Sequence, residues 1–470
     1  MSNKRIYLCL AHMSDAGLEQ KYIQEAFDTN WVVPLGPNVN GFEKDLEDFV
    51  NGTVVETRLI ESLQRTPLQK RVVALSSGTA AIHLALIACG VGPGDEVCVQ
   101  SFTFCASSHP ITYLGATPVF IDSEKDTWNM DPDLLEEAIK DRIAKTGKKP
   151  KAIIPVALYG MPYRIDRIME IANRYDIPVI EDAAEGFGSR YNGQVLGTFG
   201  KYGVLCFNGN KMITTSGGGA LITNNEDEWR EIMMYATQYR ESYPYYQHEK
   251  IGYNYRMSNI CAGIGRGQMT VANEHIAHHK HVQALYEQLL ADVPGIAVHS
   301  QPKCLAESAE NAEKVTVFDS NYWLCTITID PEVKIKGQEN AYKTIIQGAV
   351  GGAAGVIHVA DSATTDCQPN DNVEALRVFM DAAGIEARPV WKPMHKQPVY
   401  LRGKNEEVRG KMEEGRGKEY SVVTSESSVA YVNGVSEAIF KVGMCLPAGP
   451  YVKDEDVKYI VDNIKAAIVG

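Results

Sequence analysis

Arg71-Val72-Val73-Ala74-Leu75-Ser76-Ser77-Gly78-Thr79-Ala80-Ala81 is the stretch that decides the fold class. Residues 71–75 read as a buried strand, the Ser-Ser-Gly that follows as a turn, and 79–89 as a helix. A strand that enters a helix through so short a turn is a βα unit. The same alternation continues to about residue 225. Strands are predicted at 96–104, 117–122, 152–159, 178–182, 202–207 and 220–223, and helices at 131–146 and 165–175, with Asp131-Pro132 as a start signal. The pattern predicts an α/β fold with a mostly parallel central sheet flanked by helices. Ligands of such sheets bind beyond the carboxyl ends of the strands.

At 470 residues the chain favours two domains. After residue 284 the texture changes, with strand-like segments at 322–329 and 387–391 and helix-like ones at 374–383 and 454–468. A large domain over 1–283 and a smaller C-terminal α/β domain over 284–470 are expected. Residues 332–370 and 401–419 read as insertions in solvated loops. The net charge of −13 gives no general attraction for nucleic acid or anionic membrane, so neither is expected as a partner. The best apolar run, 348–360, falls short of the roughly 18 residues of a membrane helix. Lys4 and Arg5 precede Ile6 to Leu10 in the manner of a signal peptide, but His12 and Asp15 end the run. It reads as a buried strand in a cytoplasmic protein. Ten cysteines without a C-x-x-C pair read as small hydrophobes in a reducing compartment.

Three segments carry chemistry. Ser76 to Ala81 follows a strand and opens a helix, where free N–H groups and a positive dipole end suit a phosphate; the plain alternative is a helix cap. No G-x-x-x-x-G-K-[ST] loop is present. Asp182 closes the apolar strand 178–182 at the sheet's carboxyl edge. There a carboxylate can pair with a pyridinium nitrogen and keep the ring electron-withdrawing; otherwise it is a loop or cap residue. Lys211 lies between a strand and the glycine-rich Gly217-Gly218-Gly219. Alone it is a surface charge. In a desolvated loop its pKa can fall and it can form a Schiff base. Phosphate cradle, ring partner and lysine in this order are more specific together than any one of them.

The chain resembles the sugar aminotransferases of the DegT/DnrJ/EryC1/StrS group, which have the fold type I pyridoxal-phosphate architecture. The resemblance rests on Trp31 to Phe42, Leu75 to Ala81, Phe102-Thr103-Phe104, Glu181 to Glu185, Phe207 to Lys211, Gly252 to Arg256, Ala387 to His395 and Leu446 to Gly449. It implies that pyridoxal 5′-phosphate is held by Gly78 and Thr79 at its phosphate, by Phe104 on its ring face, by Asp182 at its nitrogen and by Glu185 near its hydroxyl edge. Lys211 would form the Schiff base, with Asn208 completing the cofactor set. Asn254 would reach the neighbouring subunit's phosphate in a homodimer with shared active sites. Cys206 stands where the family usually has a phosphate-binding Ser, and a thiol donates more weakly. Residues 51–70 and 332–370 exceed the family's usual length. Thr127 to Pro132 and Phe207 to Thr215 are most similar to the branch acting on UDP-linked 4-keto-6-deoxy-N-acetylhexosamines, with L-glutamate as amino donor, in surface-glycan amino-sugar biosynthesis.

Arg388, Lys392 and His395 cluster after a predicted strand and are candidate contacts for the substrate diphosphate, or else domain-interface residues. His275 and His279 share a helix face, but no H-E-x-x-H accompanies them, so a solvated face and no metal are expected. Gly263 to Gly267 fails the dinucleotide pattern G-x-G-x-x-G and reads as helix packing, which argues against a nicotinamide oxidoreductase. Two rivals share the fold: a pyridoxal-phosphate sugar dehydratase, disfavoured because such enzymes replace the lysine with His, and a non-catalytic module of the same fold.

Overall fold

The computed structural model describes residues 5–52, 69–303, 305–306, 315–342, 367–401, 406–411 and 419–469. Lys4, the run 348–360, and most of the segments 51–70 and 332–370 lie outside the described residues.

The strand Arg71–Leu75 and the helix Gly78–Ala88 form as the sequence indicates. Among the described residues ten strands build one large sheet. In spatial order they are Glu406–Lys411, Glu419–Thr424, Val429–Val432, Thr117–Ile121, Glu96–Gln100, Ala152–Ile154, Ile180–Asp182, Tyr202–Cys206, Gly219–Thr223 and Arg71–Leu75. Parallel bridges from Ile153 to Val179 and from Val156 to Asp182 join its two halves. From Val429–Val432 to Tyr202–Cys206 the strands run parallel, and Gly219–Thr223 is antiparallel to both neighbours. The central strands are continuous apolar runs because both faces of the sheet are buried.

Two expected strands end early. The strand expected at 96–104 stops at Gln100 and the one expected at 152–159 stops at Ile154. In both places the chain turns away at the carboxyl edge, delivering Phe104 and Tyr159; Tyr159 takes φ 54. Ile6 to Leu10 is not a strand: Ile6 makes one isolated bridge to Ile385, and Leu8 accepts from Ala448 N at 3.0 Å.

The strands Glu406–Lys411, Glu419–Thr424 and Val429–Val432 lie beyond position 284 yet belong to the large sheet. Val429–Val432 pairs in parallel with Thr117–Ile121, and Glu419–Thr424 and Glu406–Lys411 continue outward as a hairpin. The reading of 401–419 as solvated loop therefore fails at 406–411. Its charges mark an edge strand, where they face water and discourage pairing with another chain. Residues 402–405 and 412–418 lie outside the described residues.

The smaller unit is a four-stranded antiparallel sheet of Ile296–Val298, Cys325–Ile329, Gly443–Leu446 and Arg388–Pro389. The helices Ala272–Leu290, Asp371–Ala382 and Asp454–Ala467 pack with it in a separate core that includes Tyr286, Ile327, Met444 and Ile460. The helix Asn259–Met269 lies against Leu18–Asp28 and Pro37–Val50 through its glycines. A Cβ added to Gly265 would sit 2.7 Å from the Phe42 ring, so the run is a packing device. Among the described residues no helix is long and apolar enough to cross a membrane.

Candidate active site

The carboxyl ends of the central strands deliver the expected residues to one place. The strand Tyr202–Cys206 runs into a loop whose first residue, Phe207, is fully buried and donates its N–H to Gly218 O at 2.9 Å. Four residues on, Lys211 Nζ lies 3.1 Å from Glu185 Oε1 and 4.1 Å from the centroid of the Trp323 ring. The lowered pKa expected for Lys211 is not found. Burial acts to lower it, but the charge of Glu185, followed by Cys206 and Asp182, outweighs burial, and the net shift is upward.

Asp182 ends its strand in a fully enclosed position. Ser107 Oγ donates to Oδ2 at 2.6 Å, and Ala184 N donates to Oδ1 at 3.1 Å. Ser107 is itself bonded to Thr103 Oγ1 at 2.8 Å. Burial pushes the Asp182 carboxyl up, against the hydrogen bonds from Ser107 and Ala184 and, after them, the charge of Lys211. A buried carboxylate facing a cationic group is the arrangement a pyridinium nitrogen requires.

The turn 76–78 forms the third part. Ser77 caps its helix by accepting from Ala80 N at 3.0 Å. The N–H groups of Gly78 and Thr79 fall in the first turn, where a helix has no internal acceptor for them. A Cβ at Gly78 would come within 3.0 Å of Cys206 Cβ and 3.4 Å of its Sγ, and one at Gly219 would strike the Ser77 backbone at 2.3 Å. Glycine at these positions lets the turn pack closely on Cys206 and on the strand Gly219–Thr223, and the Cys206 thiol flanks the free N–H groups. The Phe104 ring is 54% exposed and stands 5.4 Å from the Trp391 ring, leaving a free aromatic face. Cradle, free face, buried carboxylate and lysine together fit pyridoxal 5′-phosphate.

Asn208 and Asn254 are exposed. Asn208 Nδ2 donates to Asn210 Oδ1 at 3.4 Å. The segment bearing Asn254 is pinned beside the cradle by Ser76 N donating to Tyr255 O at 2.8 Å and by the Arg256–Glu43 ion pair.

The candidate substrate contacts Arg388, Lys392 and His395 have different surroundings. His395 is buried, with Nδ1 2.6 Å from Ser101 Oγ and Nε2 3.1 Å from Glu437 Oε1. Although burial opposes it, the hydrogen bond from His395 and the charges of His395 and Lys396 hold Glu437 down at about 2. Arg388 pairs with Glu386 at 2.6 Å, and Lys392 is half-buried. His395 thus links Ser101, at the end of the strand Glu96–Gln100, to the helix Val435–Val442.

Several residues of the site gave no usable signal in the sequence. Tyr159 N donates to Glu185 Oε2 at 2.8 Å, and Asn321 Nδ2 donates to Glu185 O at 2.8 Å. His275 and His279 face the interior, against the solvated face expected of them. His275 Nδ1 meets Met212 O at 3.3 Å and His279 Nδ1 meets Tyr322 O at 3.1 Å, so one helix holds the residues next to Lys211 and to Trp323. Burial pushes His279 down to about 3, which keeps it neutral with the proton on Nδ1. Their i,i+4 spacing was visible, but spacing alone does not say which way a helix faces. Among the described residues no cluster able to hold a metal ion occurs.

Residues 14–339 match the model of the DegT/DnrJ/EryC1/StrS aminotransferase family. The chain is 37% identical over 460 residues to the putative pyridoxal phosphate-dependent aminotransferase EpsN of Bacillus subtilis, covering 98% of this chain and 95% of the relative. It is 33% identical to the GDP-perosamine synthase of Caulobacter vibrioides, covering 82% and 84%. The fold matches the crystal structure of a DegT DnrJ EryC1 StrS aminotransferase from Brucella abortus with a TM-score of 0.71 at 24% identity, covering 96% and 95%.

Proposed function

The chain belongs to the DegT/DnrJ/EryC1/StrS aminotransferase family, and from that premise we propose that it moves the amino group of L-glutamate to C4 of a nucleotide-linked 4-keto-6-deoxy sugar. The substrate class is UDP-2-acetamido-2,6-dideoxy-4-hexulose, and the product serves surface-glycan amino-sugar biosynthesis. Pyridoxal 5′-phosphate is the cofactor. The assembly is a cytoplasmic homodimer with shared active sites, in which Asn254 serves the neighbouring subunit. The observation that carries the reading is the convergence of Lys211, Asp182, Glu185 and the Gly78 cradle at one sheet edge.

When bound, the cofactor supplies an aldehyde to receive amino groups and an electron-poor ring to take up the electron pair of a broken C–H bond. The chain's residues do the rest. Asp182, oriented by Ser107 and Ala184, holds a proton on the ring nitrogen. Gly78, Thr79 and Cys206 fix the phosphate end, and Phe104 covers one ring face. Lys211 Nζ carries the proton that leaves one carbon and arrives at another, with Glu185 Oε1 adjacent to balance its charge. Each half of the exchange balances: glutamate leaves as its keto acid, and the sugar ketone leaves as an amine.

The test is a panel of keto-sugar nucleotides offered with glutamate and read by mass spectrometry. Amination at C4 of the UDP-linked 4-keto-6-deoxy substrate supports the reading. Amination at another carbon, or loss of water without amination, overturns it.

A further inference from the structure

We propose that Trp323 is a positioning residue: its indole face and the Glu185 carboxylate form a two-sided seat that holds the Lys211 ammonium whenever the lysine is not bonded to cofactor. The inference rests on the reading of Lys211 as the cofactor lysine and adds how that lysine is kept in place between bonding events. A catalytic lysine must detach in each half-reaction, yet stay close enough to shuttle a proton. A free lysine side chain carries about 2 kcal/mol of rotamer entropy and would leave the site unless something held it.

Lys211 Nζ stands 4.1 Å from the Trp323 ring centroid and 3.1 Å from Glu185 Oε1. Trp323 is buried, with its Nε1–H donating to the carbonyl of Asn210, the residue before the lysine, at 2.6 Å. Asn321, two residues before Trp323, accepts from Trp323 N through Oδ1 at 2.8 Å and donates through Nδ2 to Glu185 O and Phe187 O at 2.8 and 2.9 Å. One short segment, 321–323, therefore fixes both walls of the seat. The titratable groups facing Lys211 are Glu185, Asp182, Cys206 and Cys9. Among the described residues the Trp323 ring is the only one that lies over its ammonium. A ring face attracts a cation and has no such pull on the neutral amine, so the indole selects the protonated, unbonded lysine.

The measurement is trace acetylation of the cofactor-free protein with acetic anhydride over a pH series, read at Lys211 by peptide mass spectrometry. The plateau reports access and the midpoint reports stabilisation of the ammonium. Trp323→Leu moves the midpoint down, so that below it Lys211 acetylates about tenfold faster than in the parent protein. Trp323→Phe keeps a ring and recovers part of the difference. Fluorinated tryptophan analogues drain the ring face with little change of shape, which covers the case of a Leu variant that does not fold; the midpoint then falls as fluorines are added. A midpoint that stays put across these proteins overturns the proposal, whatever the plateau does. The underlying reading fails in another way, by borohydride fixing the cofactor on a residue other than Lys211, and the acetylation midpoint does not depend on that result.

Discussion

Lys211 Nζ lies 3.1 Å from Glu185 Oε1, so the ionic partner of the unbonded lysine is the carboxylate three residues beyond the one assigned to the ring nitrogen. Division of labour follows. Asp182 keeps its oxygens on Ser107 and Ala184, and Glu185 handles the charge of the lysine.

That division predicts a pH effect. Lys211 is held above its ordinary value by Glu185, so its neutral, bonding form becomes abundant only at higher pH than for a free lysine. Glu185→Gln removes the charge and moves the alkaline rise in cofactor capture to lower pH. Stopped-flow absorbance of apoenzyme mixed with cofactor over a pH series measures it. A profile that stays in place or moves to higher pH would falsify the pairing.

Lys211→Ala abolishes covalent attachment. Borohydride treatment of the parent protein fixes the cofactor to the peptide containing residue 211, and the variant yields no such adduct by mass spectrometry. Turnover with glutamate falls at least about 10³-fold, because nucleophile and proton carrier are lost together.

Asp182→Ala retains part of the cofactor through the Gly78 cradle and Phe104 but loses turnover. Breaking a buried ionic contact costs about 3 kcal/mol or more, equivalent to roughly 10²-fold in rate. Single-turnover spectra with glutamate measure the loss; near-normal rates would remove Asp182 from the ring nitrogen.

Cys206→Ser tightens cofactor binding. A hydroxyl beside the cradle is a stronger donor than a thiol. One added hydrogen bond to an anion is worth about 1–1.5 kcal/mol, or roughly five- to tenfold in Kd. Equilibrium titration of the apoenzyme by fluorescence reads the change, and an unchanged or weaker Kd counts against Cys206 as a phosphate contact.

Gly265→Ala tests the packing behind the site. Its new methyl group would lie 2.7 Å from Phe42, whose ring is 5.2 Å from that of Phe207 at the start of the Lys211 loop. Overpacking of this kind costs about 1–3 kcal/mol, and the melting temperature falls by a few degrees.

The parallel strands and the three chemical segments were legible in the sequence because each carries a local signature: an apolar run, a helix-opening turn, a lysine among small residues. What stayed hidden depends on direction in space. His275 and His279 have the spacing of one helix face, but only the fold turns that face inward. Trp323 lies in an apolar run that reads as strand from 322, yet Tyr322 at φ 49 breaks the ladder and carries the indole to Lys211. The charges of 406–411 hide an edge strand because water faces both kinds of segment.

The return of Val429–Val432 to the side of Thr117–Ile121 has a consequence for biosynthesis. A ribosome must deliver more than nine-tenths of the chain before the large sheet can close. A fragment ending near residue 283 would leave the Thr117–Ile121 edge unpaired, so expressing the apparent N-terminal domain alone would yield aggregate and not a smaller working protein.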